Sequence, residues 1–447
     1  MMVRSLRERR ILLRRGVLSL ILTLLIVPAA AEAQDSLVFR IRTTYTPGSE
    51  PGFVVLPFTG GNAEAAAVRA IVRRDLEFSD RFRVRDAERA IRPGEAIESA
   101  RWAEGGADWL LAGELSPRAG GLTLRLALHD VRYGQVKGDR SFSLPPPRDP
   151  GFRMAVHAAS DEVVRWATGE PGMAATRIAF VRAGRGTKEI YVVDSDGEDL
   201  ARITADGSIA LSPAWSPDGS RLAFTSFRDG APLLYERELA TGRDRVIAQR
   251  DGVNITPAYS PDGRTLAFAS TVPGGTEVML YDRVDRSLQP LVQGRRSDAL
   301  SPTFSPRGDQ IAFVSNRLGE PHIYVMERGG EPRLISGFRY GESGYNTSPD
   351  WSPRGAEIAY HTRVGGSQQI AIVGARGGTP RILTSGGRNE DPSWAPDGRH
   401  LVFASSGRDS GLYVVDTVSG RIRGLVRGSA DGLPDWSASL LRVAPSP

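Results

Sequence analysis

Short apolar runs alternate with polar turn residues at regular intervals through the second half of the chain. One phrase, an aromatic residue followed by a Ser-Pro-Asp-Gly-like turn and a short apolar run, occurs five times, as SPAWSPDGSRLAF, TPAYSPDGRTLAF, SPTFSPRGDQIAF, SPDWSPRGAEIAY and DPSWAPDGRHLVF. The aromatic residues are Trp215, Tyr259, Phe304, Trp351 and Trp394, and a truncated copy, LPDWSASL, adds Trp436. Successive intervals are 44, 45, 47, 43 and 42 residues, a period typical of propeller blades with four strands each.

Each copy predicts a strand, a tight turn and a second strand. Proline presets the backbone at the second position of a type I turn, aspartate suits the third, and glycine accepts the exit geometry. The apolar run that follows, such as LAF or IAF, is a short strand. Two further strand-like runs come next in most copies, for example HIYVMER from His322 and PRLIS from Pro332. Each repeat therefore supplies four strands.

The chain ends of the repeat region predict a closed ring. Before the first full copy stand RIAFVR from Arg177, EIYVVD from Glu189 and ARIT from Ala201, which are strands two to four of a blade without its first strand. The truncated copy from Leu433 supplies that strand. We therefore predict an all-β six-bladed β-propeller over residues 177–440, with one blade assembled from both ends, so that no sheet edge stays open between first and last blade.

The region before the propeller has a different texture and predicts a small α/β domain over residues 34–168. Its predicted elements are strands at FVVLPF from Phe53, DWLLAGEL from Asp108 and LTLRLALHDV from Leu122, and helices over 62–78 and 152–168. A linker over 169–176 and a tail over 441–447 complete the division into domains.

Residues 1–33 have the form of a secretory signal. Arginines between Arg4 and Arg15 precede an apolar stretch from Gly16 to Val27, and small residues end at Ala33. This pattern predicts export to the periplasm with cleavage near Ala33. An uncleaved membrane anchor is the alternative, although its apolar stretch is shorter than the ~20 residues of a span. Arg14-Arg15 matches a twin-arginine signal poorly.

Composition removes one class of partner. The formal charge is +5, but residues 1–33 hold six arginines and two acids, which leaves 51 basic and 50 acidic residues in the rest. A nearly neutral chain does not indicate a nucleic-acid partner. The chain has no cysteine, so neither disulfides nor thiol chemistry contribute.

The sequence offers no catalytic or metal-binding pattern. No Gly-x-Ser-x-Gly elbow occurs, as a peptidase of this architecture would need. The histidines are scattered singly, at His129, His157, His322, His361 and His400, without the spacing of metal ligands. Asp218, Asp262 and Asp397 recur at one position, which other copies fill with Arg307 and Arg354, so we interpret them as turn residues. We predict no enzyme activity, cofactor or metal.

Two sets of positions could form a binding surface. The six aromatic residues recur at one phase, and we interpret them as packing between blades rather than as a ligand cage. The loops predicted to lead into the first strands gather around one end of the central channel and vary from blade to blade, either because a partner selects them or because nothing does. They span 208–212, 253–256, 298–301, 345–348, 389–391 and 431–433.

The turn phrase, the six units, the closing strand and the exported α/β domain together resemble the TolB family, periplasmic propeller proteins of the Tol–Pal cell-envelope system. The resemblance covers nearly all of the chain after the signal. It rests further on FVVLPF at Phe53, ADWLLAGEL at Ala107, HAASDEVVRWATG at His157 and TRIAFV at Thr176.

This resemblance implies an adaptor that is peripheral to the membrane and monomeric. Its propeller would bind the peptidoglycan-associated lipoprotein Pal and its N-terminal strand the inner-membrane protein TolA, supporting envelope integrity and cell division. The resemblance points to the propeller loops around Asn254, Thr256, Leu300 and Ser301, of which Thr256 and Leu300 match contact positions of the family. In the N-terminal strand the predicted contact residues are the alternating Leu37, Phe39 and Ile41. That strand could instead be an edge strand of its own domain. The sequence departs from the family in two places. A histidine that members can carry in the loop before the second repeat is absent, and Arg40 and Arg42 stand where members tend to have an acidic stretch. The alternative function is a channel that binds a glycan or small molecule, or acts as a hydrolase.

Overall fold

The region before the propeller folds as a five-stranded sheet with two long helices on one face. The computed structural model describes residues 50–60, 63–248, 251–291, 298–337, 344–407 and 409–441, so the predicted signal and the strand with Leu37, Phe39 and Ile41 lie outside the described residues. The elements are β1 (Gly52–Val55), α1 (Ala63–Phe78), β2 (Arg83–Asp86), α2 (Ser99–Glu104), β3 (Trp109–Arg118), β4 (Gly121–Asp130), β5 (Gln135–Leu144) and α3 (Phe152–Thr168). The strand order is β2-β1-β3-β4-β5, with β1 parallel to β2 and β3 and the other pairs antiparallel.

Helical periodicity explains how this domain packs. Val68, Val72 and Leu76 follow one another at four-residue spacing and are fully buried, because that spacing places them on one face of α1. They share a core with Leu111 and Leu126 of the sheet. The two predicted helices and three predicted strands are confirmed. The sequence analysis missed β2, α2 and β5, of which β2 and β5 are edge strands with mostly exposed, charged residues.

Six four-stranded sheets follow, as predicted. Blade 1 contains β6 (Arg177–Ala183), β7 (Lys188–Asp194) and β8 (Ala201–Arg202); blade 2 contains β9 (Ala210–Trp215), β10 (Arg221–Ser226), β11 (Leu233–Glu238) and β12 (Arg243–Ala248); blade 3 contains β13 (Asn254–Tyr259), β14 (Thr265–Val272), β15 (Gly275–Asp282) and β16 (Leu288–Pro290). Blade 4 contains β17 (Ala299–Phe304), β18 (Gln310–Leu318), β19 (Glu320–Glu327) and β20 (Arg333–Leu334); blade 5 contains β21 (Asn346–Trp351), β22 (Glu357–Val364), β23 (Ser367–Gly374) and β24 (Arg381–Ile382); blade 6 contains β25 (Arg388–Trp394), β26 (His400–Ser406), β27 (Gly411–Asp416) and β28 (Ile422–Arg427); β29 (Asp431–Trp436) is the last strand.

The ring closes between the two ends of the repeat region. β29 pairs antiparallel with β6, with Trp436 opposite Ile178 and Asp435 opposite Ala179. The resulting sheet has the order β29-β6-β7-β8, so blade 1 takes its first strand from the end of the chain. Closure therefore depends on hydrogen bonds and packing between segments more than 250 residues apart in sequence.

The Ser-Pro-Asp-Gly turns have the predicted geometry. The turn glycine has positive φ in all five full copies, at Gly219, Gly263, Gly308, Gly355 and Gly398. In the first copy the N–H of Gly219 donates to the carbonyl of Ser216 at 2.8 Å. A side chain at such a φ would be strained, which explains why glycine recurs there.

The propeller has two different ends. We call the end where the first strands begin the mouth, and the end with the Ser-Pro-Asp-Gly turns the base. From Glu50 onward the chain forms one compact unit, in which the α/β domain contacts the base. Its ion pairs reach blade 1 (Arg153 with Asp196, 2.6 Å), blade 5 (Glu170 with Arg354, 2.8 Å) and blade 6 (Asp80 with Arg421, 2.8 Å).

Candidate functional site

The central channel is lined by one repeated four-residue segment, which we call the inner tetrad. Each tetrad has a variable first residue, proline, a small or acidic third residue and the aromatic residue of the repeat. The six tetrads are 212–215, 256–259, 301–304, 348–351, 391–394 and 433–436, and they enclose a cavity of about 300 Å³. Ala438, just after the last strand, also lines it. The wall is therefore built from the first strand of every blade.

The first residue of every tetrad has left-handed backbone geometry. These residues are Ser212 (φ 49°), Thr256 (52°), Ser301 (49°), Ser348 (51°), Asp391 (52°) and Leu433 (50°). The pairing of first and second strands shifts register at the same place in each blade, as in a β-bulge. Non-glycine residues rarely adopt this geometry, and such outliers cluster at binding sites. The mouth therefore presents a ring of six constrained side chains.

The third residue of four tetrads joins its blade to the next one. The main-chain N–H of Trp394 donates to Asp350 Oδ2 at 2.7 Å, and that of Trp215 to Asp435 Oδ2 at 2.7 Å. Thr303 and Ser393 accept in the same way from Trp351 (3.3 Å) and Trp436 (3.0 Å). Blades 2 and 3 have Ala214 and Ala258 at this position, and alanine has no acceptor.

The aromatic residues pack between blades, as the sequence analysis interpreted them. Trp215 contacts a buried cluster that includes Ile190 of blade 1 and Phe224 of blade 2. The indole N–H groups of Trp394 and Trp215 donate to the carbonyls of Asp350 (3.2 Å) and Asp435 (3.1 Å). Because the indole edges are used in this way, the ring stabilises the propeller rather than forming a cage for a ligand.

The channel wall is acidic on one side. Asp350, Asp391 and Asp435 come from the neighbouring blades 5, 6 and 1, and among the described residues that line the cavity no side chain is basic. Burial raises the pKa of Asp350 to about 6. Burial also raises the pKa of Asp435 to about 8, and the charge of Asp350 adds to this rise. The sequence analysis missed these carboxyl groups. Aligning the six tetrads would have shown them, because Asp350, Asp391 and Asp435 stand at positions where the other tetrads have uncharged residues.

The predicted contact residues lie at the mouth, but in strands rather than in loops. Asn254 begins β13 and Ala299 begins β17, because the left-handed residue and the bulge let the first strand continue to the mouth. Thr256 and Ser301 line the cavity, and the N–H of Ser301 donates to Thr256 Oγ1 at 3.2 Å. Leu300 is half-buried against the core between blades 4 and 5.

Asn254 has a different position from the other three. Its side chain is fully buried. Ser270 Oγ donates to Asn254 Oδ1 at 3.0 Å, and Thr225 Oγ1 of blade 2 donates to its carbonyl at 3.1 Å. It therefore joins blades 2 and 3 beneath the mouth and positions the residues around Thr256.

All five histidines are buried. One of them, His157, lies with two aspartates at distances that could suit a metal ion. Ligand atoms of Asp75, His157 and Asp196 lie within 4.8 Å of one another. However, His157 Nδ1 lies 2.9 Å from Asp75, and Asp196 accepts from Arg153 at 2.6 Å. Burial opposes the charge of His157, but the neighbouring carboxylates of Asp75, Asp194 and Asp196 together outweigh burial and raise its pKa to about 10. Cationic side chains thus already neutralise these carboxylates, and we interpret the group as an ion-pair network between α1, α3 and blade 1.

Asp397 is more than a turn residue. Its Oδ1 accepts from the N–H of Arg399 at 2.9 Å, as a turn aspartate does, but its Oδ2 lies 2.7 Å from His400 Nδ1 and 3.7 Å from Arg81 of the α/β domain. Asp218 and Asp262 instead hold their own turns, each accepting from the serine two residues earlier, Ser216 and Ser260. The sequence analysis had placed all three in one role.

In the described ranges, no helix is long and apolar enough to cross a membrane. Fold and site together define a class of protein: a six-bladed propeller docked to an α/β domain, whose channel mouth carries a ring of polar and constrained residues.

Comparison with known proteins identifies the family. The TolB beta propeller domain matches residues 164–440, and the TolB amino-terminal domain matches residues 40–136. The chain belongs to the TolB family. Membership in this family confirms the resemblance and the prediction that the chain is not an enzyme.

Individual relatives agree with this assignment. The chain is 35% identical over 338 residues to the Tol-Pal system protein TolB of Anaeromyxobacter dehalogenans (strain 2CP-C), covering 72% of this chain and 65% of the relative. It is 34% identical over 243 residues to the protein of that name from Polaromonas naphthalenivorans (strain CJ2), covering 54% and 55%. The matches thus span less than two thirds of these relatives. The crystal structure of TolB from Acinetobacter baumannii is similar with a TM-score of 0.76 at 27% identity, covering 88% of this chain and 98% of that one.

Proposed function

We propose that the chain is a non-enzymatic periplasmic adaptor of the Tol–Pal system. Its propeller mouth binds a Pal-like peptidoglycan-associated lipoprotein, its N-terminal segment binds a TolA-like inner-membrane protein, and the link supports outer-membrane integrity and cell division. The observation that carries this proposal is the ring of six left-handed, non-glycine residues at the mouth, on the end of the propeller opposite the α/β domain. Rigid, constrained side chains around an opening lower the entropy cost of docking a partner.

The docking surface centres on blades 3 and 4. Thr256 and Ser301 place hydroxyl groups on the channel wall, and Leu300, directly before Ser301 in the sequence, is half-buried. Two exposed apolar side chains lie at the same end of the propeller, Val253 directly before β13 and Leu318 at the end of β18. Polar groups at a cavity with apolar residues at its rim suit a protein partner. Asn254 supports this surface from beneath.

The N-terminal part of the proposal rests on sequence pattern. In this proposal residues 1–33 are a signal cleaved near Ala33, and the alternation of Leu37, Phe39 and Ile41 with other residues in the sequence predicts an extended segment with one apolar face. Such a segment binds by adding a strand to a partner's sheet. The domain limits that go with this proposal are 34–168 and 177–440, joined by 169–176, with a tail over 441–447, and the protein acts as a monomer.

The mouth can be tested with one substitution and a matched control. Thr256→Arg places a large cation on the channel wall, whereas Thr241→Arg makes the same change in the exposed turn between β11 and β12 at the base. The chain from residue 34 is used as bait in envelope extract of its host, followed by mass spectrometry. We expect the unchanged chain and Thr241→Arg to recover a Pal-like lipoprotein and Thr256→Arg to lose at least 90% of it. Equal recovery by all three would place the site elsewhere.

The N-terminal segment needs its own variant. Replacing Leu37, Phe39 and Ile41 by serine removes the apolar face and leaves the propeller unchanged. We expect the TolA-like protein to disappear from the recovered set while the Pal-like lipoprotein stays. Loss of both, or of neither, would contradict the division of partners between the two regions.

The acidic half of the channel favours a second candidate, a channel that binds a glycan or small molecule. Three carboxylates could hydrogen-bond hydroxyl groups of such a ligand. Against it, Asp350 and Asp435 already accept from the N–H groups of Trp394 and Trp215. Recovery of no envelope protein in the experiment above, together with binding of envelope glycans that Asp391→Asn abolishes, would favour this candidate.

A further inference from the structure

Asp80 lies in a strained turn where the α/β domain meets the propeller. It follows the end of α1 and has a φ of 50°, yet its side chain is almost fully buried, with 3% exposed. A non-glycine residue keeps this geometry only where its surroundings strongly favour it. The contacts of Asp80 therefore determine its position.

Blade 6 surrounds this carboxylate with cations. Asp80 Oδ1 accepts from Arg421 Nη1 at 2.8 Å, and Oδ2 accepts from Arg423 Nη1 at 3.0 Å and lies 3.3 Å from His400 Nε2. Its carbonyl also accepts from Arg399 Nη2 at 2.7 Å. The side chain of Asp80 thus contacts three basic residues of blade 6, and its main-chain carbonyl contacts a fourth.

The remaining charges do not replace Asp80. The other carboxylates nearby already form ion pairs: Asp416 with Arg399 at 2.7 Å, Asp397 with His400 at 2.7 Å and Glu50 with Arg421 at 2.6 Å. Arg81 adds another cation, 3.7 Å from Asp397. Arg423 packs on the ring of Phe78 at 4.4 Å, and burial lowers its pKa although Asp80 opposes this.

Removing the charge of Asp80 would therefore leave buried cations without sufficient counter-charge. A buried ion pair that loses one partner is strongly destabilised, because the other charge stays desolvated. Arg421 already reaches water, but Arg423 and His400, whose side chains are 15% and 0% exposed, can regain water only if the α/β domain moves off the base. The apolar contacts that oppose such movement are few: half-buried Phe78 against the core of blades 1 and 6, and Met154 and Ala158 against Ala175 and Leu440.

We infer that Asp80 is an electrostatic latch that holds the α/β domain in one orientation on blade 6, and that the domain docks reversibly, moving off the base as a folded body when the ion pairs of this carboxylate are broken. The latch gives the protein two arrangements of its domains without unfolding either one. It goes beyond partner binding, and it does not depend on which partners the mouth or the N-terminal segment takes.

Spin-label distances in the chain from residue 34 test this inference. The natural chain has no cysteine, so Val136→Cys on β5 and Val284→Cys on blade 3, with exposed fractions of 52% and 71%, give one defined pair of labels. Asp80→Asn removes the charge, keeps the volume and tolerates positive φ. We expect one narrow distance distribution for the unchanged chain and, in Asp80→Asn, a second, longer distance in at least a third of the molecules.

The matched control is Asp139→Asn, which breaks the ion pair with Arg125 inside the α/β sheet and should leave the distribution narrow. If Asp80→Asn fails to fold, Arg421→Gln decides the matter, because the Arg421 side chain is 49% exposed and its loss should broaden the distribution to a smaller degree. A narrow, unchanged distribution in the folded variants would overturn the latch and assign docking to Phe78 and α3.

Discussion

The junctions between blades are of two kinds, although the same tetrad builds all of them. At four junctions the third tetrad residue accepts the N–H of the next aromatic residue, through Thr303, Asp350, Ser393 and Asp435. At the junctions after blades 2 and 3, Ala214 and Ala258 make no such bond. We call these the linked junctions and the alanine junctions. The difference shows that two blades can be joined without this bond at the channel wall, since the alanine junctions keep the packing of the aromatic residue and make other polar contacts.

A different polar contact joins blades 2 and 3 at their alanine junction. Tyr259 Oη donates to Glu236 Oε1 of blade 2 at 2.6 Å, and Arg283 pairs with the same carboxylate at 2.7 Å. Burial raises the pKa of Tyr259, and the charge of Glu236 raises it further. The junction is thus stabilised at its outer side instead of at the channel, which leaves the channel wall near Thr256 free of carboxylates.

The largest effect is expected from removing an aromatic residue at a linked junction. Trp436 lies in the closing strand; its main-chain N–H donates to Ser393 Oγ at 3.0 Å, and its indole N–H donates to Thr176 Oγ1 at 2.7 Å. Trp436→Ala should lower the free energy of unfolding by about 5 kcal/mol and Phe304→Ala, at an alanine junction, by about 3 kcal/mol. Denaturant unfolding measures both. The main-chain bond to Ser393 stays in the alanine variant, so equal losses would show that the larger ring of Trp436 and its indole bond to Thr176 contribute little.

The acidic linked junctions predict a pH dependence that the alanine junctions lack. The pKa of Asp435 is raised from 3.8 to about 8 in the folded chain, so between those values the folded state holds a proton that the unfolded state has lost. Stability should then fall as pH rises through this window. Asp435→Asn still accepts from Trp215 and should be more stable than the unchanged chain by about 2 kcal/mol at pH 9, with no difference at pH 4. This gain in stability is smaller than the free energy that the whole pKa shift would give, because water in the channel partly solvates the charge of Asp435.

An aspartate with the opposite shift is the control for that prediction. A hydrogen bond from Ser216 lowers the pKa of Asp218 to about 2, so its contribution is present above about pH 4 and is lost as pH falls. Asp218→Asn should therefore reduce stability at pH 9, where Asp435→Asn increases it. If both variants changed stability in the same direction, the pKa of Asp435 would not be the cause.

The sequence predicted the repeat but not the two kinds of junction, and the reason is physical. Blade number, strand order and turn geometry follow from local patterns, such as the positive φ of Gly219 and the apolar run after it. The bond between Asp435 and Trp215 joins residues 220 positions apart, and no local pattern encodes it. The same holds for Asp80 and blade 6. The segments at the mouth were predicted as loops but form strands, because the left-handed residue in each is a serine, threonine, aspartate or leucine, whereas the sequence signal for this geometry is glycine.

The strained first position of the tetrad should respond to glycine. Ser212 has a φ of 49°, which glycine adopts without steric cost. Ser212→Gly should increase stability by about 0.5–1 kcal/mol, after the larger entropy of glycine in the unfolded chain is subtracted. Ser208→Gly is the control, because Ser208 lies outside the left-handed region and should lose stability on the same change. Thermal unfolding of both variants decides whether the mouth is strained.

The smallest expected effect comes from converting an alanine junction into a linked one. Phe304 pairs with Ile311 as Trp351 pairs with Ile358, so the N–H of Phe304 should be oriented toward residue 258 as that of Trp351 is toward Thr303. Ala258 lines the cavity, which leaves room for a hydroxyl. Ala258→Thr should therefore gain a hydrogen bond of about 0.5 kcal/mol. The control is Ala258→Val, which has the same shape without the hydroxyl, and denaturant unfolding compares the two. Equal stability of the threonine and valine variants would mean that a bond at this position adds nothing to the packing and to the Ser301–Thr256 contact between blades 3 and 4. The bonds at the other four junctions would then serve the channel wall rather than the fold.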